Sequence, residues 1–122
     1  MASDANGKRR HLVFERAGEH TFRTTLSPDL LYFEGHFDGL PLLPAVAQLL
    51  RVVMPLVRLE HPDLGDVHKL RRARFRLPLE PGATIGVTLS RASDRVSFEI
   101  TLLDEEAASG TLQFHRRPGA AT

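Results

Sequence analysis

The sequence predicts an α+β fold built as one domain. A long apolar segment with helical spacing, from about Ala45 to Leu59, is followed by runs in which apolar and polar residues alternate. A helix with one apolar face and a sheet with one apolar face can bury each other. The chain has 122 residues, which suits a single domain. We expect this domain to span residues 11–116, with disordered tails at residues 1–10 and 117–122.

Composition excludes several classes of protein. The chain has no cysteine, so a disulfide, a thiolate nucleophile and a cysteine metal site are excluded. The N-terminus lacks the apolar segment of a signal peptide, and no apolar run could span a membrane, so we expect a cytoplasmic protein without a membrane partner. A net charge of +1 and the lack of a binding motif argue against nucleic acid. No metal is expected, because five of the six histidines are scattered without metal-ligand spacing. They are His11, His20, His61, His68 and His115.

Two short β runs precede the helix. His11–Arg16 and His20–Ser27 both alternate, and the turn AGEH between them predicts a hairpin. Ser27–Pro44 is predicted to be irregular, with one helical turn in SPDLLYF capped by Ser27.

The helix is predicted over Ala45–Leu59. Its apolar residues recur at steps of three and four, which gives one broad apolar face. Pro55 lies inside this run and should kink or restart the helix, because proline lacks an N–H and crowds the preceding turn. The predicted face contains Val46, Leu49, Leu50, Val53, Met54 and Val57.

The remainder of the chain is predicted to form antiparallel strands. From Lys69 to Leu79 the odd positions are mostly apolar, and three arginines are expected on the opposite face. Turns at EPGA, RASD and LDEEAAS separate three further strands. Their apolar positions are Ile85, Val87 and Leu89, then Val96, Phe98, Ile100 and Leu102, and finally Leu112 and Phe114.

The segment before the helix is the most distinctive part of the sequence. A histidine lies among glycines and prolines that restrict the backbone, next to a helix start whose N–H groups could polarise a carbonyl. The motif GHFDGLPLLPAVAQL resembles the GHFPxxPxxPG signature of hot-dog-fold 3-hydroxyacyl-ACP dehydratases, and is most similar to the aryl-polyene-cluster (ApeI-like) branch. VHKLRRARFRLPLEPG and EAASGTLQF resemble the same family. The matching residues of the motif are Gly35, His36, Phe37, Pro41, Leu43, Pro44, Val46 and Gln48.

This resemblance implies a hot-dog fold, a curved antiparallel sheet wrapped around one long central helix. It also implies a protein that is at least a dimer, either a homodimer or a heterodimer with another hot-dog subunit. It also implies that His36 removes the C2 proton of a 3-hydroxyacyl thioester, and that the backbone N–H of Ala45 binds the thioester oxygen. The substrate would be carried on the 4'-phosphopantetheine of acyl carrier protein or CoA, without a further cofactor. Residues implied in substrate binding are Phe37, Gly39, Leu43, Val46, Leu49 and Leu50; for the aliphatic ones a place in the core is an equally good interpretation.

Three positions depart from the family pattern. Asp38 replaces proline and Ala45 replaces glycine, and both changes are mild. Leu50 stands fourteen residues after His36, at the position where the family has Glu or Asp on the helix of the partner subunit. Leucine cannot transfer a proton, so this change concerns catalysis directly.

Several explanations for the missing acid stay open. Glu34 and Asp38 flank His36 in sequence and could supply a carboxyl group. Gln48 could bind a hydroxyl or a water without donating a proton readily. A second hot-dog subunit could carry the acid in a heterodimer, or the protein could bind acyl chains without turnover.

The only notable charge cluster is basic. Arg72, Arg74 and Arg76 are predicted to share one strand face, beside Lys69 and Arg71. A solvated edge protected by charge is one interpretation. The other is docking of an acidic acyl carrier protein or of a pantetheine phosphate, which arginine binds well.

The sequence therefore predicts a 3-hydroxyacyl-ACP or 3-hydroxyacyl-CoA dehydratase-like protein of fatty-acid or polyene-type biosynthesis. One alternative is a non-catalytic acyl-binding subunit or heterodimer partner. A second is an acyl thioesterase, although that chemistry also requires a carboxylate near the helix.

Overall fold

The computed structural model describes residues 12–27 and 43–116. The predicted tails and the predicted helical turn in SPDLLYF lie outside these residues. One helix, α1, consists of an α-helical turn at Ala45–Ala47, a π-helical segment at Gln48–Val53 and an α-helical segment at Met54–Glu60. The strands are β1 Glu15–Arg16, β2 Thr21–Thr25, β3 Leu64–Phe75, β4 Thr84–Ala92, β5 Arg95–Leu102 and β6 Glu105–Arg116.

The described strands form one antiparallel sheet in the order β1-β2-β4-β5-β6-β3. The predicted hairpin is confirmed, since Glu15 pairs with Arg23 and Arg16 with Phe22. Along the chain, the helix and β3 come between β2 and β4, although β2 and β4 are neighbours in the sheet. β3 lies at the far edge of the sheet and pairs with β6 alone among the described strands.

The core lies between helix α1 and one face of the sheet. Alternate residues of β4 and β5 are buried, as the predicted alternation requires. The helix meets them with its own buried residues, which confirms the predicted α+β class. The largest fully buried side chains are Phe114, Leu26, Leu56, Leu64, Leu79, Ile85, Ile100, Val52, Val53, Val57 and Val87.

Pro55 changes the type of the helix without ending it. The N–H of Met54 donates to the carbonyl of Leu49, five residues earlier, and α-helical geometry resumes from Met54. A π-helical turn directly before a proline widens the backbone where the proline ring would crowd the preceding turn. The helix therefore continues through Pro55 to Glu60, one residue beyond its predicted end.

Two strands are longer than the sequence predicted. β3 begins at Leu64 rather than Lys69 and ends at Phe75 rather than Leu79. β6 begins at Glu105, so the predicted turn LDEEAAS shrinks to Leu103 and Asp104, which have φ of 51° and 65°. Positive φ at both central residues is the geometry of a two-residue hairpin turn, and such a turn leaves the flanking residues free to pair.

The predicted alternation in β3 is wrong around Arg72. Arg71 pairs with Thr111 and Arg74 with Ser109, so three steps along β3 match two steps along β6. Arg72 has φ of 55° in this β-bulge. An extra residue reverses the side-chain alternation, and Arg71 and Arg74 therefore share a face.

Candidate functional site

The structure describes only one part of the predicted site. His36 and its neighbours Glu34, Phe37, Asp38 and Gly39 lie outside the described residues. The described part is the start of helix α1, together with the residues that precede it and the first turns of its exposed face.

The helix starts at Ala45, where the sequence placed the backbone donor. The N–H of Leu43 donates to the carbonyl of Leu79 at 2.9 Å, which attaches the entering chain to the sheet region. Pro44 is the N-cap, in extended conformation, and makes no side-chain capping bond. The first N–H groups of the helix therefore have no side-chain cap at Pro44, and helix N–H groups at this position can donate to an external acceptor.

Gln48 is a buried polar residue behind this helix start. Its side chain is only 5% exposed, and its Nε2 donates to the carbonyl of Leu43 at 3.0 Å. Its Oε1 is buried without a hydrogen-bond partner among the described residues. A buried amide oxygen that lacks a donor is destabilising, so this position offers an acceptor to a group outside residues 12–27 and 43–116.

The predicted apolar face of the helix divides in two. Leu43 is buried in the core and Leu49 packs against it, which favours the core interpretation for both. Val46 and Leu50 are 65% and 53% exposed. These two residues are one turn apart, so they form a small apolar surface on the N-terminal half of the helix.

The arginines of the basic cluster line a cavity at the β3 edge. Arg72, Arg74 and Arg76 lie there with the hydroxyl residues of the neighbouring strands and with Phe98. Arg76 is 3.4 Å from Glu106, so one arginine is partly neutralised. The hydroxyl residues of the cavity are Ser97, Ser109 and Thr111.

A second polar cluster joins the end of the helix to β4. Arg91 donates to both carboxylate oxygens of Asp63, at 2.8 and 2.7 Å. These bonds lower the pKa of Asp63 from 3.8 to about 2. Burial lowers the pKa of the adjacent His61, and the nearby Arg91 charge lowers that pKa further. No local sequence pattern indicated this cluster, because Arg91 is 28 residues away from Asp63 along the chain.

The tertiary structure also brings two scattered histidines together. The rings of His68 and His115 lie 4.4 Å apart, centre to centre. Within residues 12–27 and 43–116, no group of three or more His, Asp or Glu side chains could hold a metal ion. Over the same residues, no helix combines the length and apolar character needed to cross a bilayer.

A curved antiparallel sheet of six strands around one helix is the architecture of the hot-dog class of proteins. The sequence model of the ApeI-like family, described as ApeI dehydratase, matches residues 13–111. The chain belongs to this ApeI-like dehydratase family. The predicted hot-dog fold and the predicted family are thereby confirmed, whereas among curated proteins no significant match was found.

Two solved structures illustrate the similarity. One is an uncharacterized protein from Erwinia carotovora subsp. atroseptica, with 27% identity, a TM-score of 0.70 and coverage of 88% of this chain and 95% of that chain. The other belongs to the dehydratase heterocomplex ApeI:P from Xenorhabdus doucetiae. It has 28% identity, a TM-score of 0.68 and coverage of 88% of this chain and 99% of that chain.

Proposed function

We propose that this chain is one subunit of a heterodimeric 3-hydroxyacyl thioester dehydratase of fatty-acid or polyene-type biosynthesis. His36 removes the C2 proton, and the backbone N–H of Ala45 stabilises the thioester oxygen as negative charge develops there. The acid that protonates the leaving hydroxyl comes from the helix of a second hot-dog subunit. Membership of a dehydratase family supports the reaction, and a similar structure described as a heterocomplex supports the assembly.

The observation that carries this proposal is the exposure of Leu50. A leucine that had simply joined the core would be buried, yet Leu50 is 53% exposed beside the exposed Val46. The dehydratase motif that this segment resembles implies Glu or Asp at the corresponding position. In this chain it offers an apolar contact, so a homodimer would lack the acid in both of its sites. A heterodimer would have one complete site, formed by His36 and the acid of the partner.

Substrate binding is proposed at the same surface. Val46 and Leu50 would contact the acyl chain, together with Phe37 and Gly39 from the preceding segment. Leu43 and Leu49 would support this wall from the core side, where both are located. Gln48 would offer its Oε1 to the substrate hydroxyl or to a water, since that acceptor is unused among the described residues.

The carrier is proposed to dock near the arginine-lined cavity. Arg72, Arg74 and Arg76 would meet the acidic surface of an acyl carrier protein or the phosphate of the pantetheine arm. Replacing Arg72 and Arg76 by alanine in the assembled enzyme should raise KM for the carrier-bound substrate and leave kcat unchanged. An unchanged KM would contradict docking of the carrier at this cavity.

The central test is turnover of a 3-hydroxyacyl-ACP, followed as enoyl product by mass spectrometry. The chain alone should be nearly inactive, and activity should appear when an acid-bearing hot-dog subunit is added. Replacing His36 by alanine should abolish that activity. Activity that survives this replacement would exclude His36 as the base.

The other outcomes separate the alternatives. Turnover by the isolated chain that depends on His36 would place the acid within this chain, and Glu34 and Asp38 would be replaced next. Binding of acyl-ACP without turnover in any mixture would indicate a non-catalytic subunit. Release of free thiol without enoyl product would indicate a thioesterase, because dehydration leaves the thioester intact.

A further inference from the structure

Two exposed histidines meet on the outer face of the sheet, the face that points away from helix α1. His68 belongs to β3 and His115 to β6. The centres of their rings lie 4.4 Å apart, with an angle of 38° between the ring planes. Both residues are exposed, and within the described residues neither imidazole forms a hydrogen bond or an ion pair. Two adjacent imidazoles in this condition are available to a shared ligand.

The pairing of β3 with β6 brings the two rings together. Val67 and Lys69 are two steps apart in β3, whereas their partners in β6 are neighbours in sequence. His68 is the extra residue of this irregularity, and a bulge of this kind redirects a side chain. His115 follows the buried Phe114 and therefore projects from the outer face. The expectation of no metal considered the spacing of histidines along the chain, which takes no account of this contact.

The separation of the two rings suits coordination of one metal ion. Zinc–nitrogen distances of about 2.0–2.1 Å place each ring centre about 3.2 Å from the ion, and two rings bound at a right angle then lie about 4.5 Å apart. The observed separation of 4.4 Å is close to that value. Because both residues are exposed, rotation of the side chains can turn one nitrogen of each ring toward a common point. The backbone therefore already holds the two ligands at a suitable distance.

We propose that His68 and His115 bind one divalent transition-metal ion of the class Zn²⁺, Ni²⁺ or Cu²⁺, and that water completes its coordination. Imidazole nitrogen suits these ions. Within the described residues no third His, Asp or Glu joins the pair as a metal ligand, so the site is weaker than a four-ligand structural zinc site. Lys69 and Arg116 follow the two histidines in sequence, and Mg²⁺ and Ca²⁺ require oxygen ligands, so these two ions are excluded. The bound ion would join β3 to β6.

Isothermal titration calorimetry with ZnCl₂ tests the site in the full-length chain, prepared without a histidine tag. His68→Ala and His115→Ala should each weaken zinc binding by about tenfold or more, because either change removes the gain from two linked ligands. The double variant should lose little more than either single variant, whereas two independent one-histidine sites would be lost one at a time. The control is His20→Ala, which removes an exposed histidine beside Glu19 and should leave the affinity unchanged.

Two further measurements identify the ligands and the effect of the ion. Electron paramagnetic resonance of the Cu²⁺-loaded chain should show two bound nitrogens, and only one after His68→Ala or His115→Ala. Zinc should raise the melting temperature of the unmodified chain but not that of the two variants, since an ion that binds only the folded chain stabilises it. Binding should weaken from about pH 7.5 to about pH 5.5, because a protonated imidazole cannot bind a metal.

Several results would overturn the proposal. Zinc affinity that is unchanged in either His68→Ala or His115→Ala is one, and an equal loss in His20→Ala is another. A copper signal from a single nitrogen in the unmodified chain would also overturn it. These measurements use no substrate, and the proposed dehydration uses neither histidine. Failure of the metal site would therefore leave the proposed reaction untouched, and an inactive enzyme would leave the metal site untouched.

Discussion

The side-chain amide of Gln48 donates a hydrogen bond to the carbonyl oxygen of Leu43, over 3.0 Å. Leu43 lies two residues before the first helical residue, and its own N–H is bonded to Leu79. The start of helix α1 is therefore held from both sides, by the helix itself and by the chain after β3. A fixed helix start is what a backbone N–H donor needs, because electrostatic stabilisation depends on donors that do not move during the reaction.

Gln48 should matter more for activity than for stability. Replacing Gln48 by leucine removes one hydrogen bond and also one unpaired buried oxygen, so we expect the free energy of unfolding to change by only about 1 kcal/mol. Turnover of the assembled enzyme should fall, because the acceptor proposed for the substrate hydroxyl is lost. Denaturant unfolding and steady-state kinetics measure the two effects. Unchanged kinetics would exclude the proposed role of Oε1.

A charged side chain at position 48 should destabilise the fold. Gln48→Glu places a carboxylate where the side chain is 5% exposed, and an unpaired buried charge costs about 3–5 kcal/mol. Part of this loss should be recovered at acidic pH, where the carboxyl group is neutral. The matched control is Gln113→Glu on the outer face, near Lys69 and Arg95, which should not be destabilising. Thermal unfolding at pH 7 and pH 4 compares the two variants, and equal losses would contradict the assignment of Gln48 as the buried amide.

Leu50→Glu should restore activity to the chain alone. Leu50 is exposed on the helix, so the free energy of unfolding should change by no more than about 0.5 kcal/mol. A carboxyl group would then stand where the family resemblance implies an acid, and a homodimer would contain both the proposed base His36 and an acid. Enoyl formation by the isolated variant is the measurement. Val46→Glu places a carboxylate on the same exposed surface one turn earlier, and it should not restore turnover.

The Asp63–Arg91 pair should make stability depend on pH in the acidic range. The folded-state pKa of Asp63 is about 2, against an ordinary value of 3.8. The stabilisation is therefore fully present above pH 3.8 and is lost as the pH falls toward 2. Replacing Arg91 by glutamine should reduce the dependence of the melting temperature on pH in this window. Arg95→Gln, one strand away, should leave that dependence unchanged. If the melting temperature depended on pH equally in the unmodified chain and in both variants, the Asp63–Arg91 pair would not be the source of this dependence.

Gly110 should tolerate no side chain. A Cβ atom at this position would lie 2.9 Å from Cε1 of Phe98 and 3.4 Å from Cα of Ala73. Phe98 is buried and cannot withdraw freely, so Gly110→Ala should destabilise the fold by about 1–3 kcal/mol. The control is Gly18→Ala, where the nearest atom would be 3.5 Å away and no loss is expected. Chemical denaturation that gives equal stability for the two variants would contradict the packing of Phe98 on this strand.

The chemistry of the site was predictable only in part. Glycines and prolines beside a histidine, followed by an apolar helix, identified the segment and placed Ala45 at the first helical residue. The sequence could not separate Val46 and Leu50 from the core residues of the helix, because all are aliphatic and recur at helical spacing. Exposure separates them. Gln48 was recognised as polar, but its burial depends on the tertiary packing of the helix.

The sequence by itself determined the order of the elements and the identity of most of the core. Alternation in β4 and β5 and the apolar spacing of the helix are local properties, since each follows from the repeat of a single element. The tertiary structure decided what depends on pairing between distant segments. It placed β3 at an edge, shifted its register at Arg72 and set Arg71 beside Arg74. These features arise from the fit between β3 and β6, whose residues are far apart in the chain, and no local pattern encodes that fit.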